Sequence, residues 1–108
     1  MKRIGITMGD PLGIGAEITL KALPKFRDNL SFKVFGDPEL LPGLELGELR
    51  AVVVPKSEDK YSPREAGQAS IAYLDRAMAA WRAGEIDALV TAPISKTHVQ
   101  AAGFPFPG

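Results

Sequence analysis

Residues 4–17 read Ile4-Gly-Ile-Thr-Met-Gly-Asp-Pro-Leu-Gly-Ile-Gly-Ala-Glu17, a short apolar run that enters a glycine-rich turn. The run predicts a first β-strand over residues 4–7, and a helix is predicted from about Gly15. Residues 9–13 between them predict a loop. A strand, a loop and a helix in this order place backbone N–H groups at the carboxyl end of a strand, where open α/β sheets bind their ligands.

The composition excludes several classes of protein. A chain of 108 residues is long enough for one core and too short for two domains. Thirteen basic residues balance thirteen acidic ones, so charge favours neither nucleic acid nor an anionic membrane as a partner. The absence of cysteine excludes disulfides and thiolate chemistry, and no segment approaches the roughly 20 apolar residues of a transmembrane helix. We therefore expect a soluble, cytoplasmic protein that contacts no nucleic acid and no membrane.

Strands and helices are predicted to alternate along the rest of the chain. Strands are predicted at residues 31–35, 51–54 and 86–90, and helices at 63–83 and 96–102. The clearest signal is Ser62-Pro-Arg-Glu65, which predicts a capping box at the start of the long helix. Alternation of this kind predicts an α/β fold with a parallel, doubly wound sheet. The proline-rich end, residues 104–108, resembles a loop cut in mid-course and predicts an incomplete domain.

The glycine-rich loop does not match a known phosphate-binding motif. Gly9, Gly13 and Gly15 are spaced G-x-x-x-G-x-G, which is neither the dinucleotide fingerprint nor a P-loop. On the residues alone, a tight turn that needs glycine for its dihedral angles is as good an interpretation as a ligand site. Asp10 favours the ligand site, because a carboxylate at the end of a strand suits a hydroxyl, an amine or a cationic ring better than a phosphate.

A second junction between strand and helix reads Thr91-Ala-Pro-Ile-Ser-Lys96. If the strands are parallel, Thr91 and Lys96 are expected near the same sheet edge as Asp10. A lysine there could hold a phosphate or a carboxylate, although lysines are common on surfaces. His98 is the only histidine and is expected to be a surface residue rather than a metal ligand. No catalytic triad, metal site or acid/base pair is predicted.

These motifs together resemble one enzyme family. Ile6-Thr-Met-Gly-Asp-Pro-Leu-Gly-Ile-Gly-Ala-Glu17 is similar to the N-terminal signature of 4-hydroxythreonine-4-phosphate dehydrogenase, an enzyme of pyridoxal phosphate biosynthesis. Asp87-Ala-Leu-Val-Thr-Ala-Pro-Ile-Ser-Lys96 and Ala102-Gly-Phe-Pro-Phe-Pro-Gly108 resemble two further blocks of that family. Ser62-Pro-Arg-Glu-Ala-Gly67 resembles the approach to its long helix. The four blocks occur in the family's order.

The resemblance implies a fold similar to isocitrate and isopropylmalate dehydrogenases. It implies NAD-dependent oxidation and decarboxylation of a phosphorylated hydroxy amino acid, 4-phosphohydroxy-L-threonine, to 3-amino-2-oxopropyl phosphate. A divalent metal (Zn, Mg or Co) and a homodimer are implied for the full-length enzyme. Residues 1–108 would then be the N-terminal α/β segment of a longer two-domain dehydrogenase, inactive alone, with its catalytic and metal-binding residues beyond Gly108.

The residues that carry over are candidates for the walls of a cleft for substrate and cofactor. They are Gly9, Asp10, Gly13, Gly15, Thr91 and Lys96; no metal ligand carries over. Leu12 and Ala16 depart from the family, which more often has alanine and proline there. Three alternatives stay open: a paralogue acting on threonate or erythronate 4-phosphate, a distantly related phosphate acetyltransferase, and a stand-alone module that binds a small molecule without catalysis.

Overall fold

A computed structural model describes residues 1–105 as a parallel α/β sheet with helices on its faces. The elements are β1 (Lys2–Thr7), α1 (Gly15–Ala22), β2 (Leu30–Gly36), β3 (Leu49–Ala51), α2 (Pro63–Arg82), β4 (Ala88–Thr91) and α3 (Lys96–Ala101). All neighbouring strands pair in parallel, in the order β3-β2-β1-β4. This confirms the predicted parallel α/β fold. Residues 106–108, which end both the proline-rich segment 104–108 and the block 102–108, lie outside the described residues.

The strand order reverses between β1 and β4. From β1 the chain moves outward to β2 and β3, and it then crosses back over the sheet through α2 to reach β4. Because parallel crossovers are right-handed, α1 and α2 cover opposite faces, which makes the sheet doubly wound. In such sheets, ligands bind outside the carboxyl ends of the strands where the order reverses. The crevice between the ends of β1 and β4 is therefore the first place to look for a site.

The longest helix, α2, begins at the predicted capping box. The Ser62 hydroxyl accepts a hydrogen bond from the Glu65 N–H, and the Glu65 carboxylate accepts one from the Ser62 N–H. Its buried stripe consists mostly of alanine, with Tyr73 as the large, fully buried side chain. Trp81 lies one position beyond Ala80, outside this stripe, and is 52% exposed. None of the helices in residues 1–105 has the length and apolarity needed to cross a lipid bilayer.

The third strand begins and ends earlier than predicted. The β-branched run at residues 51–54 predicted a strand, but β3 spans Leu49–Ala51. Pairing ends because β2 ends: the Val52 N–H donates to the Gly36 carbonyl at 2.9 Å, the last contact between the strands. Val53 is 78% exposed. The valines thus continue past their pairing partner, which local β propensity does not reveal.

Candidate ligand-binding crevice

The loops that follow β1 and β4 lie side by side at the carboxyl edge of the sheet. We call residues 8–14 the β1 loop and residues 92–95 the β4 loop. The Asp10 N–H donates to the Pro93 carbonyl at 3.0 Å, which joins the two loops through their backbones. The expected proximity of the two strand-to-helix junctions is confirmed. That they bind a ligand stays a prediction.

Two glycines of the β1 loop, Gly9 and Gly13, and Gly15 at the start of α1 lie in this turn. Gly9 has a φ of 78°, a region that favours glycine, and an added Cβ would overlap a carbonyl of the β4 loop. Gly15 is buried, and an added Cβ would overlap the Met8 carbonyl. Gly13 is exposed, and its N–H closes the turn by donating to the Asp10 carbonyl at 2.9 Å. These contacts require glycine at positions 9 and 15, whereas the N–H bond at Gly13 could be made by other residues.

Asp10 is buried, with both carboxylate oxygens occupied by the protein itself. Oδ1 accepts a hydrogen bond from the Leu12 N–H at 2.8 Å, and Oδ2 lies 2.7 Å from Nδ1 of His98. An ionised carboxylate can only accept, so Nδ1 carries the proton and donates. Such a bond fixes both the orientation of an imidazole ring and the identity of its free nitrogen. Here the free nitrogen is Nε2 of His98.

The pairing of Asp10 with His98 corrects one expectation. His98 is not an isolated surface residue, since its side chain is only 24% exposed and its ring contacts a buried carboxylate. This hydrogen-bonded pair of a carboxylate and an imidazole was also not expected from the sequence. The two residues are 88 positions apart, so no motif spacing connects them. They meet because α3 packs against α2, where Gly67 lies against the His98 carbonyl.

Thr91 and Lys96 lie at the crevice without lining its central groove. Thr91 ends β4 and faces a separate apolar hollow beside Ile18 and Val90, on the α1 face of the sheet. Lys96 is the first residue of α3, and its side chain is exposed. The structure therefore places the predicted residues at one sheet edge but divides them: Asp10 and Gly13 line the groove, and the other four lie beside or behind it.

A groove of about 300 Å³ opens between the two loops. Its lining is mainly apolar, with a few polar groups: Asp10, Leu12, Gly13, Ile14, Pro93, Ile94, Ser95 and His98. Ligand pockets measure about 300–1,000 Å³, so this groove admits one ring or a small ligand rather than a whole dinucleotide. A hollow of about 490 Å³ between β3 and α2 is larger but lies away from both loops.

Comparison with known proteins decides the family. The model of the family "Pyridoxal phosphate biosynthetic protein PdxA" matches residues 13–108. The chain belongs to the PdxA family. It is 39% identical to a 4-hydroxythreonine-4-phosphate dehydrogenase of Thermosynechococcus vestitus over 97% of its own length and 36% of the relative's. It is 35% identical to an enzyme of the same name from a Sulfurihydrogenibium species, over 100% of this chain and 40% of the relative.

Solved structures of related proteins share the fold. A terephthalate 1,2-cis-dihydrodiol dehydrogenase from Burkholderia xenovorans matches with a TM-score of 0.80 and 29% identity, over 99% of this chain and 38% of that one. A Salmonella typhimurium protein, described as a proposed 4-hydroxythreonine-4-phosphate dehydrogenase, matches at 0.77 and 26%, over 100% and 42%. The chain thus spans about two-fifths of the length of these relatives, which are named as dehydrogenases.

This PdxA-family chain has a second buried carboxylate at the end of β2. Gly36-Asp37-Pro38 repeats the sequence Gly9-Asp10-Pro11 one strand further along the sheet. Asp37 accepts hydrogen bonds from the Glu39 N–H at 2.9 Å and from the Tyr61 hydroxyl at 2.6 Å. Burial, assisted by this hydrogen bond, raises the pKa of Tyr61 far above its usual value. Sequence reasoning missed Asp37, although the repeated tripeptide was a usable signal.

Tyr61 and its fully buried neighbour Tyr73 form a matched pair for mutation. The Tyr73 hydroxyl has no hydrogen-bond partner within residues 1–105, whereas the Tyr61 hydroxyl donates to Asp37. We expect Tyr61→Phe to lower the free energy of unfolding of the full-length protein by about 1.5–3 kcal/mol, because a buried carboxylate loses a donor. Tyr73→Phe should be neutral or slightly stabilising. Urea unfolding of both variants checks this, and equal losses would contradict the assigned partners.

Stability is also expected to fall at alkaline pH. Burial raises the pKa of Tyr73 to about 12; the neighbouring Tyr61 hydroxyl acts against this rise, and the carboxylates of Asp37 and Asp10 add to it. In the unfolded chain the pKa of tyrosine is about 10. The stability linked to the neutral hydroxyl is therefore complete below about pH 10 and is lost as the pH rises through about 12. Unfolding free energies across this range should decline more steeply in the wild type than in Tyr73→Phe; parallel curves would refute the shift.

Proposed function

We propose that the full-length polypeptide is an NAD-dependent dehydrogenase of pyridoxal phosphate biosynthesis. Its reaction would oxidise the hydroxyl of 4-phosphohydroxy-L-threonine, and the resulting β-keto acid would lose carbon dioxide to leave 3-amino-2-oxopropyl phosphate. One observation carries the proposal, the match of the PdxA family model to residues 13–108. The position of the crevice, at the reversal of strand order, supports a role for these residues as one wall of the substrate and cofactor cleft.

The groove between the loops suits part of NAD. Its apolar lining and few polar groups fit an aromatic ring, whereas its volume leaves the rest of the dinucleotide to other parts of the protein. When bound, NAD would accept the hydride from the carbinol carbon of the substrate. Residues of this chain would bind and orient the ligands and exclude water, with Gly9, Gly13 and Gly15 keeping the β1 loop in its observed turn.

The groups that would bind the substrate's phosphate and the metal lie outside the groove. Lys96, exposed at the crevice, is the proposed contact for the substrate's phosphate or carboxylate, and Thr91 is a candidate wall residue beside it. A divalent metal, Zn, Mg or Co, remains part of the proposal for the full-length enzyme. The described part of the chain contains no cluster of three or more His, Cys, Asp or Glu side chains that could hold it, so we assign no step to a metal. We also propose that the full-length enzyme is a homodimer in the cytoplasm.

A second candidate function is favoured by a specific observation. The structural match to a terephthalate 1,2-cis-dihydrodiol dehydrogenase has a TM-score of 0.80 and covers 99% of this chain. Within this fold, the substrate can therefore be a hydroxylated compound without a phosphate. The lining of the groove contains no lysine or arginine, which is compatible with either substrate class, because the phosphate would be bound outside the groove.

NADH formation by the full-length protein tests the proposal. We expect turnover with 4-phosphohydroxy-L-threonine and little with threonate 4-phosphate, erythronate 4-phosphate or a cis-dihydrodiol. The 108-residue chain alone is expected to form no NADH. Turnover of the dihydrodiol alone would favour the second candidate. Acetyl transfer from acetyl-coenzyme A to phosphate, which releases coenzyme A, without any NAD-dependent turnover would contradict both and favour the phosphate acetyltransferase alternative.

A further inference from the structure

We propose that His98, held by Asp10, is the residue that recognises the edge of a planar heteroaromatic ring bound in the groove between the β1 and β4 loops. The inference rests on the proposed NAD-dependent function and assigns a recognition role within that site. Asp10 is then a positioning residue rather than a ligand contact.

The carboxylate of Asp10 is poorly accessible to a ligand. It is 4% exposed, and its two oxygens are held by the Leu12 N–H at 2.8 Å and by Nδ1 of His98 at 2.7 Å. Each oxygen keeps a second lone pair, but at 4% exposure little of the carboxylate is open to a ligand hydroxyl. The polar side-chain groups that remain for a ligand are therefore the other side of the imidazole and the Ser95 hydroxyl, whose oxygen already accepts from the His98 N–H.

Both the backbone and the ring of His98 are held in place. The His98 backbone N–H donates to the Ser95 hydroxyl at 3.1 Å, and its carbonyl lies against Gly67 of α2. Its ring bonds to Asp10 through Nδ1, while Nε2 has no protein partner among the described residues and is not a buried atom. The neutral ring presents Nε2 as an acceptor, and the protonated ring presents it as a donor. A ring fixed in this way recognises a ligand at low entropic cost.

The lining around Nε2 favours a ring over a phosphate or a sugar. Ile14 and Leu12 are 61% and 47% exposed at the β1 side of the groove, and Pro93 and Ile94 line the β4 side. No lysine or arginine lines it, and its buried carboxylate would repel an anion. Apolar sides with one fixed hydrogen-bonding atom complement a flat ring that has apolar faces and a polar edge. The adenine and nicotinamide rings of NAD both have this chemistry.

Calorimetric titration of the full-length protein with two fragments, ADP-ribose and nicotinamide mononucleotide, tests the assignment and distinguishes the two rings. We expect one fragment to bind. His98→Ala should raise the dissociation constant of that fragment about three- to tenfold, which is the usual contribution of one hydrogen bond. His98→Gln, which keeps a polar group near the position of Nε2, should recover part of the loss. Thr97→Ala, at the exposed neighbouring position, should leave both constants unchanged.

A spectroscopic measurement keeps the test independent of folding defects. In the ¹⁵N spectrum of the full-length protein, the Nε2 signal of His98 is identified by its absence from the His98→Ala spectrum. This signal should shift when the fragment that binds is added. Equal dissociation constants in wild type and both His98 variants, or an Nε2 signal that does not shift, would overturn the inference. If NAD-dependent turnover persists in that case, the proposed function stands. If neither fragment binds because another segment fills the groove, the ring assignment is wrong.

Discussion

Replacing Gly67 with alanine is expected to destabilise the full-length protein by about 1–3 kcal/mol, the range found for overpacking a core. Alanine in a helix is by itself more favourable than glycine by about 1 kcal/mol, so the expected sign is the reverse of the usual one. The reason is the contact between α2 and α3, where an added Cβ would overlap the His98 carbonyl. The backbone cannot give way there without moving α3. The midpoint of urea unfolding measures the effect.

The consequence for the crevice separates this effect from a general loss of stability. Because α3 carries His98, its displacement should also lengthen the bond between His98 and Asp10 and lower fragment binding. Asp75→Ala, at an exposed position on the same helix, should change neither stability nor binding by more than a few tenths of a kcal/mol. A Gly67→Ala protein as stable as the wild type would show that α2 and α3 do not pack in the way described.

Replacing Asp10 with alanine is expected to affect both stability and catalysis. The change leaves the Leu12 N–H and the His98 Nδ1 without their acceptor. A hydrogen bond to a charged group contributes about 1.5–3 kcal/mol, and because both donors are only partly buried, a loss of about 2–4 kcal/mol in unfolding free energy is expected. With the ring of His98 no longer fixed, kcat/KM of the full-length enzyme should fall by about three- to tenfold, the loss expected for removing His98 itself and at most about 1.4 kcal/mol.

Asp28→Ala serves as the control, because Asp28 is an exposed aspartate outside both loops. It should change neither quantity measurably. Steady-state kinetics with urea unfolding on the same preparations would separate loss of function from loss of folded protein. If Asp10→Ala has unchanged kinetics, the β1 loop is structural scaffold, and the ligand-binding role of the crevice is contradicted at its central residue.

Local patterns predicted the elements of this fold well. The capping box fixed the start of α2 because its two reciprocal hydrogen bonds involve residues three positions apart. The parallel sheet followed from the alternation of strands and helices. The bounds of β3 were wrong because they depend on where β2 ends, a property of the partner strand.

The site was predictable only in part. Asp10 and the loop glycines stand in one contiguous segment, so their sequence carries the signal. His98 carries none, because its role depends on α3 folding back over the β1 loop, with 88 positions between the paired side chains. Asp37 lies between these two cases. Its tripeptide repeats that of Asp10 and so was visible in the sequence, but only the structure shows that the Tyr61 hydroxyl is its partner.

The most direct test of the crevice is a crystal structure of the full-length protein with NAD and substrate bound. We predict that bound ligand atoms contact residues of both the β1 loop and the β4 loop, with a ring in the groove beside Ile14 and a hydrogen bond to Nε2 of His98. Ligands that are fully bound and ordered, yet contact neither loop, would contradict the assignment of this sheet edge as a wall of the active site.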